Sequence, residues 1–125
     1  MAKLQDIAWA SRVFDCHGQK RIGHNTKLHR VDGGWSLQYH STRVAELVEF
    51  PSIGARRLTI NTGGWFSVTT AQRIRHALQE VGLMLVTNDL PGRWRVMDRR
   101  GNAFTIRGNK LMLRHDGNEW QRIAA

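Results

Sequence analysis

Short runs in which apolar and polar residues alternate recur along most of the chain. Four of them lie between residues 25 and 61, over 26–31, 35–39, 42–50 and 57–60. The first two flank Asp32-Gly33, and alternating runs around an Asp-Gly pair are the strongest short-range signal for a β-hairpin. We therefore expect residues 25–61 to form an antiparallel meander. Residues 1–24 are expected to be a weakly structured lead-in that ends in a polar loop over 16–24.

The periodicity changes to about 3.6 residues in the middle of the chain. An apolar stripe at helical spacing is formed by Ile74, Leu78 and Val81. Thr69 and Gln72 have capping-box spacing, in which each side chain bonds the other residue's backbone amide, and Gly82 can end a helix in the left-handed conformation. The pattern predicts one amphipathic helix over about 70–81, within a unit that spans residues 62–82.

Alternation returns after the helix, beginning with a short apolar run over 83–86. Turn-forming segments at 99–102, 108–109 and 116–118 divide the alternating residues that follow. Residues 83–125 are therefore predicted to form basic β-hairpins. The whole chain, 1–125, is expected to be a single α+β domain, in which a curved antiparallel sheet of six to eight short strands packs against one principal helix.

Positive charge is in excess and is concentrated near the C-terminus. The 125 residues include 19 Lys and Arg against 10 Asp and Glu, a formal charge of +9, and 15 of the cations are Arg. Residues 92–125 hold eight basic and three acidic residues, so more than half of the excess lies there. Because Arg is the planar, bidentate partner of phosphate, this balance favours a polyanionic partner, most often nucleic acid. An acidic groove on a partner protein would explain the charge equally well.

Other features of the chain restrict its class. No apolar run approaches the ~20 residues that a bilayer-spanning helix needs, and no apolar signal segment opens the chain. Cys16 is the single cysteine, which excludes an internal disulfide framework and fits a reducing compartment. We expect a cytoplasmic domain that makes no membrane contact and needs no cofactor.

The segment 58–75 is the most distinctive stretch of the sequence. It reads Leu-Thr-Ile-Asn-Thr-Gly-Gly-Trp-Phe-Ser-Val-Thr-Thr-Ala-Gln-Arg-Ile-Arg. A strand followed by Asn-Thr-Gly-Gly-Trp, a Thr-Thr pair and a basic helix resembles a family of small, largely uncharacterised tailed-bacteriophage proteins. The similarity extends upstream to 25–26 and 40–44 and covers about half of the chain. The resemblance implies a phage gene product that acts in the host bacterial cytoplasm on DNA, RNA or a host complex, and it implies no particular activity.

Residues 61–70 predict a loop that leads into the N-terminus of the helix. Gly63-Gly64 permits positive φ angles and the close approach of another backbone. Free amides and hydroxyl groups at the helix start are able to hold a phosphate, with Arg73 and Arg75 at its flank. A structural interpretation stays open, in which a threonine only caps the helix and Trp65 packs under the sheet. The missing Lys-Ser/Thr ending excludes a nucleotide P-loop.

Arginine and aromatic side chains alternate in Arg93-Trp94-Arg95. Strand alternation that buries Trp94 with Val96 turns Arg93 and Arg95 to the other face, and Arg107 joins them if the next strand pairs in register. The candidate nucleic-acid contacts are Arg73, Arg75, Arg93, Arg95, Arg99, Arg100 and Arg107 for phosphates, and Trp65 for base stacking or core support.

Two His-x-Thr triplets suggest an enzymatic alternative. His24 with Thr26 and His40 with Thr42 resemble the paired motif of two-histidine phosphoesterases, where His does acid–base work and the hydroxyl holds a phosphate oxygen. The separation of 16 residues and the short chain argue against that fold. Adding Cys16 and its neighbour His17 gives no zinc-ligand spacing, so no metal is expected.

These observations favour a non-enzymatic phage accessory protein that binds nucleic acid, DNA or RNA, through an Arg-rich surface. One rival interpretation is a protein inhibitor that docks on an acidic surface of a host enzyme or defence complex. Another is a virion component whose basic charge contacts packaged DNA.

Overall fold

The computed structural model describes residues 19–90 and 93–123, which form ten β-strands and one α-helix. The strands are β1 (Gln19–Gly23), β2 (Thr26–Val31), β3 (Gly34–Tyr39), β4 (Thr42–Phe50), β5 (Ala55–Asn61), β6 (Met84–Leu90), β7 (Arg93–Met97), β8 (Ala103–Thr105), β9 (Lys110–His115) and β10 (Trp120–Arg122). The helix, α1, spans Val68–Gln79, and a 3-10 turn at Pro51–Ile53 joins β4 to β5.

The strands are divided between two antiparallel sheets. The larger has the order β1-β2-β3-β4-β5-β9-β10, and the smaller has the order β6-β7-β8. Strand β9 returns to pair with β5 after the chain has built the helix and the smaller sheet. The predicted α+β fold with one principal helix is confirmed, although ten strands in two sheets replace the expected six to eight in one. The segment 83–125 contributes to both sheets, because its last two strands join the larger one.

The predicted meander over 25–61 is confirmed as strands β2 to β5. Val31 pairs with Gly34 across the two-residue turn at Asp32-Gly33, as the hairpin signal indicated. The loop predicted over 16–24 is wrong for Gln19–Gly23, which forms β1 and pairs with β2. Residues 1–18, and with them Cys16 and the rest of the predicted lead-in, lie outside the described residues.

Two further strand boundaries differ from the prediction. Strand β10 follows the turn at 116–118, where the alternating series was expected to end. Strand β6 continues to Leu90, although Asn88 was expected to end it, and its pairing with β7 is irregular between Val86 and Leu90. A three-residue edge strand and an irregular strand both give a weak period-two signal, so the sequence pattern did not indicate them.

The helix begins at a different cap from the one expected. Ser67 is the N-cap residue, with an extended backbone (φ −95°, ψ 162°), and its Oγ accepts a hydrogen bond from Thr70 N at 3.1 Å. Thr69 already lies inside the helix, so it does not have the non-helical backbone that an N-cap requires. The predicted stop at Gly82 is confirmed: its φ is +74°, and Leu83 N bonds back to Leu78 O at 3.0 Å, the pattern of a Schellman cap.

One hydrophobic core joins the two sheets and the helix. The larger sheet buries one face, with Leu37, Leu58 and Leu113 almost inaccessible to solvent. The helix contributes side chains such as Leu78, and the smaller sheet contributes side chains such as Val96, to the same cluster. Burying one such side chain contributes about 1.5–3 kcal/mol, so this shared core fixes how the two sheets pack together. Across the described residues, no helix is both long and apolar enough to span a bilayer.

Candidate nucleic-acid interface

Strand β7 places two of the predicted arginines on one side of the smaller sheet. Trp94 and Val96 are buried in the core, with Trp94 only 6% exposed. Because neighbouring side chains in a strand point to opposite faces, Arg93 and Arg95 lie on the face away from the core. Arg93 is exposed and Arg95 is half-buried. The burial predicted for Trp94 is confirmed.

The pairing of β7 with β8 brings a third arginine to the same face. A hydrogen bond from Ile106 N to Trp94 O (2.9 Å) carries the antiparallel register one residue beyond β8. Arg107, the next residue, is exposed and forms its bridge with Lys110. Alternation from the buried Ile106 directs the Arg107 side chain to the side that Arg95 also occupies. We call Arg93, Arg95 and Arg107 the arginine strip.

A fourth arginine, which the prediction omitted, lies beside the strip. Arg122 Nη2 donates a hydrogen bond to Thr105 O at 2.6 Å. Burial lowers the pKa of the Arg122 guanidinium, and the charge of Arg107 lowers this pKa further. The repulsion between these two groups shows that positive charge is concentrated here. Arg122 follows the expected end of the alternating series, which is why the pattern did not single it out.

The loop between β5 and α1 is held in shape by its own side chains. Asn61 Oδ1 accepts a hydrogen bond from Gly63 N (2.9 Å), and Thr62 Oγ1 accepts one from Gly64 N (3.2 Å). Both glycines have positive φ angles, +64° and +84°, as predicted. A Cβ atom at Gly63 would lie 2.7 Å from Thr42 Oγ1. The loop therefore passes the start of β4 at a distance that only glycine allows.

A cavity of about 380 Å³ opens where this loop meets the turn between β3 and β4. Its lining includes Tyr39, His40, Ser41, Thr42, Trp65 and Ser67. The cavity thus brings together two stretches, 40–44 and 61–70, that are separated by 16 residues in the chain. We call it the Trp65 cavity.

Trp65 does not pack under the sheet. Its side chain is 70% exposed, and it forms one rim of the Trp65 cavity. The hydrogen bond from Trp65 N to Thr62 O (3.0 Å) closes a tight turn, and the ring of the next residue, Phe66, contacts Trp94 while staying 43% exposed. The expectation of core support by Trp65 is therefore wrong, while base stacking stays a prediction.

One hydrogen bond joins the lining of the Trp65 cavity to the turn that follows Arg107. Thr62, which lines the cavity, donates its backbone N–H to Asn109 O at 2.8 Å, and Asn109 lies two residues after Arg107. On the core-facing side of β7, opposite Arg93 and Arg95, the Phe66 ring packs edge-on against Trp94, with ring centroids 4.9 Å apart. The cavity therefore lies near the Arg107 end of the arginine strip.

The two helix arginines do not form the open phosphate site that was expected. Arg73 is only 3% exposed, with Nη2 3.5 Å from His24 O and the guanidinium carbon 5.5 Å from the centre of the Tyr39 ring. Burial lowers the pKa of Arg73, and Tyr39 partly offsets that effect. Arg75 Nη2 donates to Thr87 Oγ1 at 2.9 Å. Both guanidinium groups are therefore directed onto other parts of the fold.

Arg99 and Arg100 lie apart from the strip, in the turn between β7 and β8. They line a second cavity of about 440 Å³, which also contains Arg56 and the acidic residues Glu80 and Glu119. Arg100 Nη1 lies 3.9 Å from a carboxylate oxygen of Glu119. The mixed charge of this cavity makes it a weaker candidate for a polyanion than the strip.

The two His-x-Thr triplets form neighbouring turns at the cavity end of the larger sheet. His40 N donates to Asn25 O at 2.8 Å. Thr26 is completely buried, and its Oγ1 donates to His24 O at 2.8 Å. That hydroxyl has no access to a phosphate, so the arrangement does not support the phosphoesterase alternative. Within residues 19–90 and 93–123, no three His, Cys, Asp or Glu side chains gather in a way that would hold a metal ion.

The open face of the larger sheet carries cations that the sequence interpretation did not identify. Arg57 of β5 pairs with Arg114 of β9, and Arg21 of β1 pairs with Lys27 of β2. The neighbours of these cations in the strand point into the core, as Leu58 does beside Arg57, so the cations point outward. Alternation therefore indicated their outward direction, but their proximity depends on strand order, which alternation does not determine.

Comparisons of the chain with protein-family models, with curated protein sequences and with solved structures found no match. The arginine strip, the Trp65 cavity and the hydrogen bond that joins their loops are therefore the basis for the function proposed below.

Proposed function

We propose that this protein binds nucleic acid through the arginine strip, without chemical turnover. The observation that supports this most strongly is the concentration of guanidinium groups at β7 and at the end of β8, where Arg93 is exposed on the same side as Arg95 and the charge of Arg107 lowers the pKa of Arg122. Like charges held close together repel each other. A phosphate bound between them removes that repulsion, so the arrangement costs stability in the free protein and stabilises a complex with a polyanion.

The type of contact also determines what kind of recognition is expected. Guanidinium groups bind phosphate oxygens in bidentate fashion, and such contacts position a nucleic acid without reading its sequence. We therefore expect affinity for many sequences and a steep dependence on salt, because each neutralised phosphate releases condensed counterions. The resemblance to phage proteins leads us to expect this nucleic acid in the cytoplasm of a bacterial host.

A second candidate function is inhibition of a host protein. It is supported by the apolar side chains around the start of α1, because Trp65 and Val68 are 70% and 72% exposed and Phe66 is also exposed. Exposed apolar groups of this kind are typical of protein contacts. A virion role is a variant of the first proposal, with packaged DNA as the polyanion.

Titration of labelled oligonucleotides, single-stranded and double-stranded, tests the proposal directly. Between about 50 and 200 mM salt, we expect the association constant to fall steeply, with a slope set by the number of phosphates that are neutralised. If neither form binds at the lowest salt concentration, the nucleic-acid proposal is wrong.

A pull-down from bacterial lysate, with and without nuclease, distinguishes the second candidate. Nucleic-acid binding predicts that the captured material disappears after nuclease treatment. A host protein that is retained in equal amount after nuclease treatment, and that binds the purified chain, would support the inhibitor function.

A further inference from the structure

The Trp65 cavity is not explained by the folding of the chain. Its volume of about 380 Å³ lies within the range of small-ligand pockets, about 300–1,000 Å³. Two aromatic residues, Tyr39 and Trp65, contribute to its lining. Trp65 stays 70% exposed, although burial of a Trp side chain would stabilise the fold. An exposed indole at the rim of a cavity presents a flat apolar surface that is available for stacking.

Part of the cavity lining is polar. Ser41 and Thr42 line it, and neither hydroxyl is hydrogen-bonded to another of the described residues. The Ser67 hydroxyl, in contrast, donates to Thr70 Oγ1 at 3.0 Å and accepts a hydrogen bond from Thr70 N at 3.1 Å. A ligand in the cavity therefore meets one aromatic surface and two hydroxyl groups that can donate or accept hydrogen bonds.

The loop that carries Trp65 is joined to the turn beside Arg107. Thr62, which also lines the cavity, donates its backbone N–H to Asn109 O at 2.8 Å, and Asn109 follows Arg107 by two residues. A strand with one phosphate at Arg107 therefore has a neighbouring nucleotide beside the loop that forms the cavity. A flat ring with polar edges, attached to a phosphate backbone, is the chemistry that fits both parts, and this is a nucleobase.

We propose that the Trp65 cavity takes one unpaired nucleobase, stacked on Trp65, from a single strand whose phosphates contact the arginine strip. This inference rests on the proposed function and adds to it a preference for single strands. In a duplex the bases are stacked and paired, so none is available to the cavity without the cost of opening a base pair. Stacking accepts any base, because every base has a π-face.

The test compares wild type with Trp65→Ala and Trp65→Phe on three probes: a single-stranded oligonucleotide, the duplex of equal length, and inorganic polyphosphate. Wild type is expected to bind the single strand more tightly than the duplex. Trp65→Ala should weaken single-strand binding by roughly 5- to 150-fold, the range for one stacked base, without changing the salt slope. Trp65→Phe, which keeps an aromatic ring, should retain most of the affinity. Polyphosphate has no bases, so wild type and Trp65→Ala should bind it equally.

The outcomes separate this inference from the function on which it rests. If wild type binds no probe, the proposed function itself fails. If wild type binds with a steep salt dependence, but Trp65→Ala binds the single strand as tightly as wild type does, the cavity does not take a base. Tighter binding to the duplex than to the single strand would likewise overturn the base cavity and leave the strip proposal intact.

Discussion

Phe66 and Trp94 pack edge to face, with ring centroids 4.9 Å apart and an angle of 75° between the ring planes. This contact joins the loop before α1 to the central strand of the smaller sheet. Trp94 is also the residue whose burial turns its neighbours Arg93 and Arg95 outward. The same side chain therefore orients the arginine strip and holds the loop that forms the Trp65 cavity.

The Phe66 and Trp94 rings are expected to stabilise the fold as a coupled pair. Aromatic pairs of this geometry contribute about 0.5–1.5 kcal/mol beyond their buried area. Phe66→Ala should lower the free energy of unfolding, measured by urea denaturation. The loss should be smaller in a Trp94→Leu background, by about 0.5–1.5 kcal/mol. Equal effects in both backgrounds would show that the two rings are not coupled.

Gly63 should tolerate alanine less well than a glycine with the same backbone angle in open space. Gly54 provides the comparison, because its φ is also +64° and no heavy atom outside its own chain neighbours lies within 4 Å of the position of its Cβ. Gly54→Ala should cost about 1 kcal/mol for the left-handed conformation alone. Gly63→Ala should cost about 2 kcal/mol, because Thr42 must also move. Thermal melts of the two variants check this, and equal melting temperatures would show that the close approach to Thr42 has no energetic effect.

The identity of the helix cap is testable with two single substitutions. Ser67→Ala removes the hydroxyl that accepts from Thr70 N and should cost about 1 kcal/mol of unfolding free energy. Thr69→Ala serves as the matched control. Because Thr69 lies inside the helix, this substitution should lower the unfolding free energy by less than Ser67→Ala does. A larger loss for Thr69→Ala in chemical denaturation would restore the capping box that the sequence pattern predicted.

His115 should make stability depend on pH just below neutrality. Burial lowers the pKa of this imidazole, and the charge of Arg56 lowers it further. His115 Nδ1 also accepts a hydrogen bond from Gly117 N at 3.1 Å, which requires the unprotonated nitrogen. The unfolded chain therefore binds the proton more readily than the folded one. The contribution of unprotonated His115 to the free energy of unfolding is present above the ordinary His pKa of about 6.5, and it is lost as the pH falls through the lower pKa of the folded state.

The check is urea denaturation of wild type and His115→Asn between about pH 7.5 and 5.5, the range around the ordinary His pKa. Asn keeps an acceptor for Gly117 N but does not titrate. Wild type should lose more stability than the variant as the pH falls through this range. Parallel pH profiles would exclude His115 as the cause.

The local parts of the fold were predictable because they depend on neighbouring residues. The Asp32-Gly33 hairpin, the stop of the helix at Gly82 and the burial of Trp94 each follow from a turn residue or from one alternating run. Strand order was not predictable in this way. Strand β9 pairs with β5 across the intervening helix and smaller sheet, and neither strand carries a local signal for that partner.

The candidate site was predicted in part for the same reason. Alternation correctly assigned Arg93 and Arg95 to the face opposite Trp94. The placement of Arg73 at the open flank of the helix start was wrong: this residue is buried although it is charged, and its direction depends on where Tyr39 lies in the tertiary structure. The core-support interpretation of Trp65 was also wrong: residue type favours burial, but this side chain, which directly follows Gly63-Gly64, lies at the surface, and base stacking stays a prediction.

The most direct test of the account compares two sets of three charge-removing substitutions. The first variant carries Arg93→Gln, Arg95→Gln and Arg107→Gln in the arginine strip. The control variant carries Lys27→Gln, Arg57→Gln and Arg114→Gln on the open face of the larger sheet. Both lose three positive charges, and thermal melts establish that both fold.

The measurement is the salt dependence of binding to a labelled single strand of about 12 nucleotides, which is within the usual site size of single-strand binding domains. The strip variant should bind more weakly and lose roughly one unit of salt slope for each arginine removed, whereas the control variant should keep a slope close to that of wild type. If the strip variant binds as wild type does, or if the control variant loses as much slope as the strip variant, the arginine strip is not the nucleic-acid surface.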